Sequence, residues 1–143
     1  MDLPDSPAAL SFARARSPEQ REDRVRHLTE VTRALLDDTR ASELTLGEIA
    51  AAAGLAKSGV LRYAGSREAL LLLVMYHEHL GWLADLRTQL HDERRTPAKA
   101  LAHTLAQRPV LCDLISAAPV LMNRLTPEAA ETVRTQARDV EDR

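Results

Sequence analysis

The sequence predicts an all-α protein with about seven helices, on three observations. No segment alternates apolar and polar residues as a half-buried strand does, whereas several segments repeat apolar residues at steps of three and four. Ala and Leu are plentiful while aromatic residues make up only 3%, a composition that favours helices over the strands of a sandwich or barrel. Ser, Thr, Pro and Gly recur where these periodic segments start and stop. The 143 residues are close to the length of one typical domain.

The first predicted helix begins at Ser17-Pro18. Ser caps the helix, Pro fits a first turn that needs no N–H donor, and Gln20 completes a capping box. The helix is predicted to run to about Arg40 because one face is apolar throughout; that face consists of Val25, Leu28, Val31, Leu35 and Leu36. Residues 1–16 carry no sustained helical pattern and are predicted to form a mobile tail.

Two short helices are predicted next. A capping box starting at Thr45 opens the first of them, and Gly54 supplies the left-handed residue that ends it. The second covers residues 57–63, with Val60 and Leu61 predicted to anchor it inward among polar and basic neighbours. This arrangement is typical of a helix-turn-helix whose second helix enters the major groove. A small helical hairpin with an Ala-rich first helix is the alternative interpretation.

The fourth predicted helix is long and central. Ser66 caps it, and it runs from about Arg67 to beyond Leu86, apolar nearly all round through residues 70–74. Prolines delimit the helices that follow. Pro97 and Pro127 mark predicted helix starts. Pro109 and Pro119 mark predicted interruptions.

Charge and cysteine content exclude several classes of protein. The net charge is −2, from 19 Lys and Arg against 21 Asp and Glu, which excludes a generally basic protein that coats nucleic acid. Site-specific DNA binding needs only a local basic face. The single cysteine, Cys112, forms no internal disulfide and is predicted to be a small buried hydrophobe. Asp2 and Asp5 stand where a signal peptide is basic, so a cytoplasmic protein without membrane contact is expected.

The stretch from Leu44 to Leu70, ending in Ser-Arg-Glu-Ala-Leu at residues 66–70, resembles the N-terminal DNA-binding domain of TetR-type transcriptional regulators. Residues 108–116 also look like a segment of the regulatory body in one branch of that family. The resemblance implies a three-helix DNA-binding head over residues 17–65 and a helical ligand-binding and dimerisation body over residues 66–143. It further implies a ligand-responsive repressor that binds an inverted repeat as a homodimer.

The partners implied by the resemblance are a double-stranded DNA operator and a small-molecule effector. Neither a cofactor nor an enzymatic activity is expected. Thr45 would contact a phosphate, and Tyr63 and Arg67 match positions that grip the DNA backbone. Arg reads guanine, and Lys reads guanine or phosphate. The residues implied to lie on the face that meets the groove are Lys57, Ser58, Gly59 and Arg62.

Departures from the family pattern motivate a second hypothesis. Ala56 stands in place of the Ser or Thr that caps the recognition helix, and Ala64 stands in place of a bulky Phe beneath it. The chain is also shorter than regulators of this type, as expected of a truncated body. The alternative function is a helical interaction or ligand-binding module that has lost DNA binding and forms mixed dimers with a full-length relative.

The remaining candidates concern ligands of the body. Met75, Trp82 and Met122 are candidate pocket residues, with plain core packing as the alternative. The segment His77-Glu78-His79 does not predict a metal site, because side chains two apart on a helix do not share a face. No motif indicates a catalytic nucleophile, a carboxylate pair or a phosphate-binding loop, so no catalytic residue is assigned.

Overall fold

The structure, a computed structural model, describes residues 17–142; the tail predicted for residues 1–16 lies outside this range. The described part contains seven helices and no strand, which confirms the all-α class. The helices are α1 (Pro18–Leu35), α2 (Leu46–Ala53), α3 (Lys57–Ala64), α4 (Arg67–Leu90), α5 (Pro97–Ala106), α6 (Pro109–Asn123) and α7 (Pro127–Glu141).

Side-chain caps fix where most of these helices begin. In five of them a hydroxyl accepts a hydrogen bond from the backbone N–H three residues further on, which satisfies one of the unpaired donors at a helix start. The capping residues are Ser17, Thr45, Ser66, Thr96 and Thr126. The predicted starts at Pro97 and Pro127 are therefore confirmed.

Three expectations about local structure are wrong. The first helix ends at Leu35 and not near Arg40, because the acidic residues that follow are disfavoured at the negative end of a helix. Pro119 lies inside α6 without interrupting it. The proline removes the donor for the carbonyl of Ile115, and this position is exposed enough for water to take over. Cys112 is exposed, since the inward face of α6 is taken by Leu111 and Leu114.

Helix α4 forms the centre of the molecule, as predicted. It packs against α1, α5, α6 and α7, and its residues 69–74 are all buried. The same core cluster contains Leu28 and Ile49 from the first helices and Leu114 from α6. Residues 17–65 and residues 66–142 therefore share one core. The division of the chain at residue 65 stays a prediction.

Within residues 17–142, no single helix is long and apolar enough to span a bilayer, whereas α5 and α6 taken together, with a 92° bend between them, have that length and apolar character.

Helix α3 lacks a side-chain cap, so a stabilising substitution can be predicted. Ala56 precedes α3 in an extended conformation, with φ −73° and ψ 155°, and makes no cap hydrogen bond. We expect Ala56→Ser to raise the free energy of unfolding by about 0.5–1 kcal/mol in urea denaturation, because serine supplies the missing acceptor. Ala52→Ser, at an exposed position inside α2, is the control and should lower stability slightly. An equal gain from both would contradict the capping argument.

Candidate functional site

The α2–turn–α3 unit is held together by a small apolar interface. Ile49 and Ala50 of α2 and Val60 and Ala64 of α3 are buried in the common core. Gly54 has φ 69°, a left-handed conformation that glycine adopts without steric cost and that turns the chain tightly between the helices. The orientation of α3 is therefore fixed from its inner side, and its other face is left to solvent.

The outer face of α3 carries polar, basic and apolar groups and no acidic residue. Lys57, Ser58 and Arg62 are exposed, whereas Gly59 is half-buried against Leu55. The face thus contains the groove-facing side chains that the resemblance implies, and a cationic face on a short helix fits a phosphate-lined groove.

Leu61 also lies on this face, and its predicted role as an inward anchor is wrong. It is 43% exposed, whereas Val60 is fully buried. Leu61 follows Lys57 by four residues and Ser58 by three, and side chains at these spacings share a helix face. The spacing of Leu61 from Lys57 and Ser58 indicates an exposed position, whereas the apolar character of leucine indicates burial. An exposed Leu here can contact a thymine methyl group, the apolar feature of the major groove.

Lys57 extends from α3 across the first turn of α2. A Cβ placed on Gly47 would lie 3.1 Å from Cε and 3.6 Å from Nζ of Lys57. The absence of a side chain at Gly47 therefore makes room for the lysine. Its ammonium group stands beside the positive end of α2, where backbone N–H groups and the helix dipole favour an anion.

A carboxylate already occupies part of this helix end. The backbone N–H and the hydroxyl of Thr45 both donate to Oε2 of Glu48, at 2.8 and 2.9 Å. These two bonds, the backbone one first, hold the pKa of Glu48 below its ordinary value. A phosphate contact from the Thr45 hydroxyl therefore requires that hydroxyl to turn away from Glu48.

Arg67 lies behind the outer face and holds the loop between α1 and α2. Its Nη2 donates to the carbonyl oxygen of Ala41 at 2.5 Å, its Nε donates to the carbonyl oxygen of Leu44, and it pairs with Glu68 at 3.1 Å. The side chain is 18% exposed. Three of its donors are thus occupied inside the protein, and the phosphate contact implied by the resemblance stays a prediction.

Tyr63 and the end of α3 are attached to the rest of the head. Tyr63 is half-buried and packs against the core cluster. The backbone carbonyl of Arg62 accepts a hydrogen bond from Nη2 of Arg21 on α1, at 3.1 Å. The carboxyl end of α3 is therefore supported by α1 through a backbone group, and the side chain of Arg62 is exposed.

The body contains a cavity of about 510 Å³ between α4, α6 and α7. Met75 and Met122 both line it, among mainly apolar neighbours. Trp82 does not line this cavity. Its side chain contacts α5 instead, where its indole Nε1 donates to Oγ1 of Thr104 at 3.0 Å. The structure thus brings two of the three candidate pocket residues together.

The two histidines of the His77-Glu78-His79 segment line different cavities, as their spacing predicts. His79 lines the cavity that contains Met75, whereas His77 lines a second one beside α1 and α7. Within residues 17–142, no three His, Cys, Asp or Glu side chains are grouped closely enough to hold a metal ion.

Comparison with known proteins gives one family. Residues 28–74 match the family model described as bacterial regulatory proteins, tetR family. The matched segment starts in α1 and ends in the buried part of α4, so it includes all of α2, the turn and α3. The resemblance of the head is therefore confirmed. A search of curated proteins gave no match.

Proposed function

We propose that the chain, whose residues 28–74 match the tetR family model, is a TetR-type, ligand-responsive repressor that binds an operator as a homodimer through an N-terminal helix-turn-helix head. The observation that carries the proposal is the outer face of α3. Lys57, Ser58, Leu61 and Arg62 are exposed there on a helix that Val60 anchors from within. The repressor acts in the cytoplasm without a cofactor and catalyses no reaction.

Base recognition is assigned to α3 and positioning to α2. Arg62 donates to guanine, and Leu61 contacts thymine methyl groups. The hydroxyl of Ser58 donates or accepts a hydrogen bond at the edge of an A·T or a G·C pair. Lys57 and the first turn of α2, with Thr45, hold a phosphate. Gly59, which has no side chain, allows α3 to approach the DNA closely. Tyr63 contacts the DNA backbone. Phosphate contacts set the register of the head, and base contacts give its sequence preference.

Effector binding is assigned to the cavity between α4, α6 and α7. Its lining is mainly apolar, with Met75 and Met122 among the residues, so the effector is an apolar molecule with few polar groups. Helix α4 lines the cavity and begins three residues after α3 ends. A ligand that shifts α4 therefore shifts the head, which changes the distance between the two recognition helices of a dimer and releases the operator.

The dimer is assigned to α6. Ile115 and Met122 share one face of α6, are 50% and 63% exposed, and also line the cavity assigned to the effector; large apolar residues exposed together are typical of an interaction surface. A symmetric pair would use the same surface on both copies. Two heads related by this symmetry would read an inverted repeat.

Selection from random double-stranded DNA tests the proposal. The purified chain is incubated with the library at near-physiological salt, and retained DNA is sequenced. An inverted repeat is the expected result. A single half-site would mean a working head without a dimer, and no enrichment by a folded helical protein would favour the interaction module that has lost DNA binding.

A lysine substitution provides the first quantitative prediction. Lys57→Ala should weaken binding about equally for all DNA sequences and reduce the slope of log affinity against log salt by about one, because one phosphate loses its counterion-releasing partner. Fluorescence anisotropy at several salt concentrations measures both quantities. Lys99→Ala removes the same charge from an exposed position on α5 and should leave both unchanged. Equal behaviour of the two variants would remove Lys57 from the interface.

A further inference from the structure

The first turn of α7 packs directly against the turn that joins α3 to α4. Gly65, between those two helices, has φ 85°, and a Cβ built on it would lie 3.1 Å from Cα and 3.2 Å from Cβ of Ala129. Distances of this kind are shorter than most Cβ contacts in proteins, so the two backbones meet without room for a side chain between them. Ala129 is fully buried, and no gap remains on its side of the contact.

Hydrogen bonds fix both sides of this contact. The hydroxyl of Thr126 accepts from the backbone N–H of Ala129 at 3.2 Å, which holds the first turn of α7 in place. On the other side, the backbone N–H of Gly65 donates to the carbonyl oxygen of Leu61 at 2.9 Å and closes the last turn of α3. One hydrogen bond therefore separates the contact from Leu61, whose side chain lies on the outer face of α3.

The same end of α7 also lines the cavity assigned to the effector. Ala130, Val133 and Arg134 line that cavity, and Ala130 directly follows Ala129 in the chain. Because α7 is one continuous helix of 15 residues, a ligand that displaces its cavity-lining residues also displaces Ala129. Close-packed groups shift together when one of them moves, since no free space absorbs the movement.

We propose that α7 couples the cavity to α3 directly, in addition to the shift of α4. A ligand in the cavity moves the first turn of α7, Ala129 moves Gly65, and the end of α3 is reoriented. Ala129 is then a positioning residue that acts on the outer face of α3 through Gly65. The proposal rests on the proposed function for its input, an apolar ligand in the cavity, whereas the contact itself needs neither ligand nor DNA.

Alanine substitutions at two left-handed glycines test the contact. Gly65→Ala places a methyl group against Ala129, whereas Gly54→Ala adds the same group at φ 69° with no atom within 4 Å. Both variants share the backbone strain, so only Gly65→Ala should shift the backbone amide signals of Val133 and Arg134, one turn further along α7. Equal shifts from the two variants, or no shift from Gly65→Ala, would overturn the proposal.

A second variant tests the coupling and keeps the proposal falsifiable if Gly65→Ala fails to fold. Ala129→Gly removes the methyl group that meets Gly65, and Ala137→Gly makes the same change about 12 Å further along α7. The full chain and both variants are titrated with 1-naphthol, an apolar probe with one hydroxyl group. Saturation should shift the amide signal of Leu61 in the unaltered chain and in Ala137→Gly. In Ala129→Gly this shift should be at least about twofold smaller because coupling is lost, while the shift of Val133 at the cavity remains.

The outcomes separate this proposal from the proposed function. An undiminished Leu61 shift in Ala129→Gly, or saturation without any Leu61 shift, would overturn the coupling through α7. Absence of saturation would refute the apolar effector cavity and remove the input on which the coupling depends. The amide signals are recorded without DNA, so a chain that binds no operator would refute the repressor and leave this result unaffected.

Discussion

Glu78→Gln is expected to lower the free energy of unfolding by about 2 kcal/mol, because it removes a carboxylate shared by two arginines. Arg33 of α1 donates to Oε1 of Glu78 at 2.6 Å, and Arg108, at the start of α6, donates to Oε2 at 3.3 Å. The Glu78 side chain is only 14% exposed. The glutamine amide would keep one oxygen that accepts from one arginine and would turn its NH2 group toward the other, whose guanidinium has no acceptor.

The size of this effect is limited by the surroundings of the two arginines. Arg33 is 36% and Arg108 23% exposed, and each keeps another carboxylate, since Arg33 also pairs with Asp37 and Arg108 with Asp85. Bonds to Asp37 and Glu78 raise the pKa of Arg33 against its partial desolvation. Solvent screening and these remaining partners reduce the cost below that of a fully buried pair.

Glu131→Gln is the matched control for Glu78→Gln. Glu131 pairs with Arg134 at 2.7 Å on the surface of α7, and both side chains are more than half exposed. Such a pair contributes little, so a loss of less than about 0.5 kcal/mol is expected. Urea denaturation of the three proteins measures the difference. Equal losses for the two variants would show that the bridge from α1 through α4 to α6 adds nothing beyond a surface ion pair.

Most of the fold could be predicted from the sequence because helix starts are signalled locally. A hydroxyl and the N–H three residues on are neighbours in the chain, so the caps at Thr45 and Thr126 are visible without a tertiary structure. The prediction for Pro119 is wrong because a proline is tolerated in a helix where the freed carbonyl can reach water, and exposure to water is a tertiary property that the sequence does not show.

Less of the candidate site could be predicted, because the positions of its side chains depend on tertiary contacts. Exposure of Leu61 depends on which face of α3 the core takes, and residue type alone gave the wrong answer. The neighbours of Arg67 are two carbonyl oxygens more than twenty residues away, a contact that no local pattern signals. The exposure of Lys57 and Arg62 could be predicted, because charged residues on a short amphipathic helix face solvent unless they are paired.

Arg67→Ala is expected to lower the free energy of unfolding by about 2–3 kcal/mol and to weaken DNA binding without changing its salt dependence. The carbonyl groups of Ala41 and Leu44 belong to fully buried residues and would lose a charged donor. The backbone N–H of Ala41 donates to Asp113 of α6 at 2.7 Å, so the body holds this residue from both sides. Loosening the loop would lower the fraction of molecules in which the head is correctly folded, and this weakens binding by the same factor at every salt concentration.

Arg62→Ala is the control for this prediction, because its side chain is exposed on the outer face of α3. It should change stability by less than about 0.5 kcal/mol and should relax the sequence preference of binding. Arg67→Ala, in contrast, should weaken binding to all sequences in parallel with its loss of stability.

Arg67→Lys separates the two roles open to this residue, a clamp on the loop and a phosphate contact. Lysine keeps the charge, which suffices for a phosphate, but its single ammonium lacks the planar fork that reaches two carbonyl groups. A clamp predicts that Arg67→Lys remains almost as unstable as Arg67→Ala, with the salt slope of the unaltered chain. A phosphate contact predicts full stability for both variants, a slope reduced by about one for Arg67→Ala, and its recovery in Arg67→Lys. The hydrogen bonds to Ala41 and Leu44 favour the clamp, which would make Arg67 a positioning residue for α2.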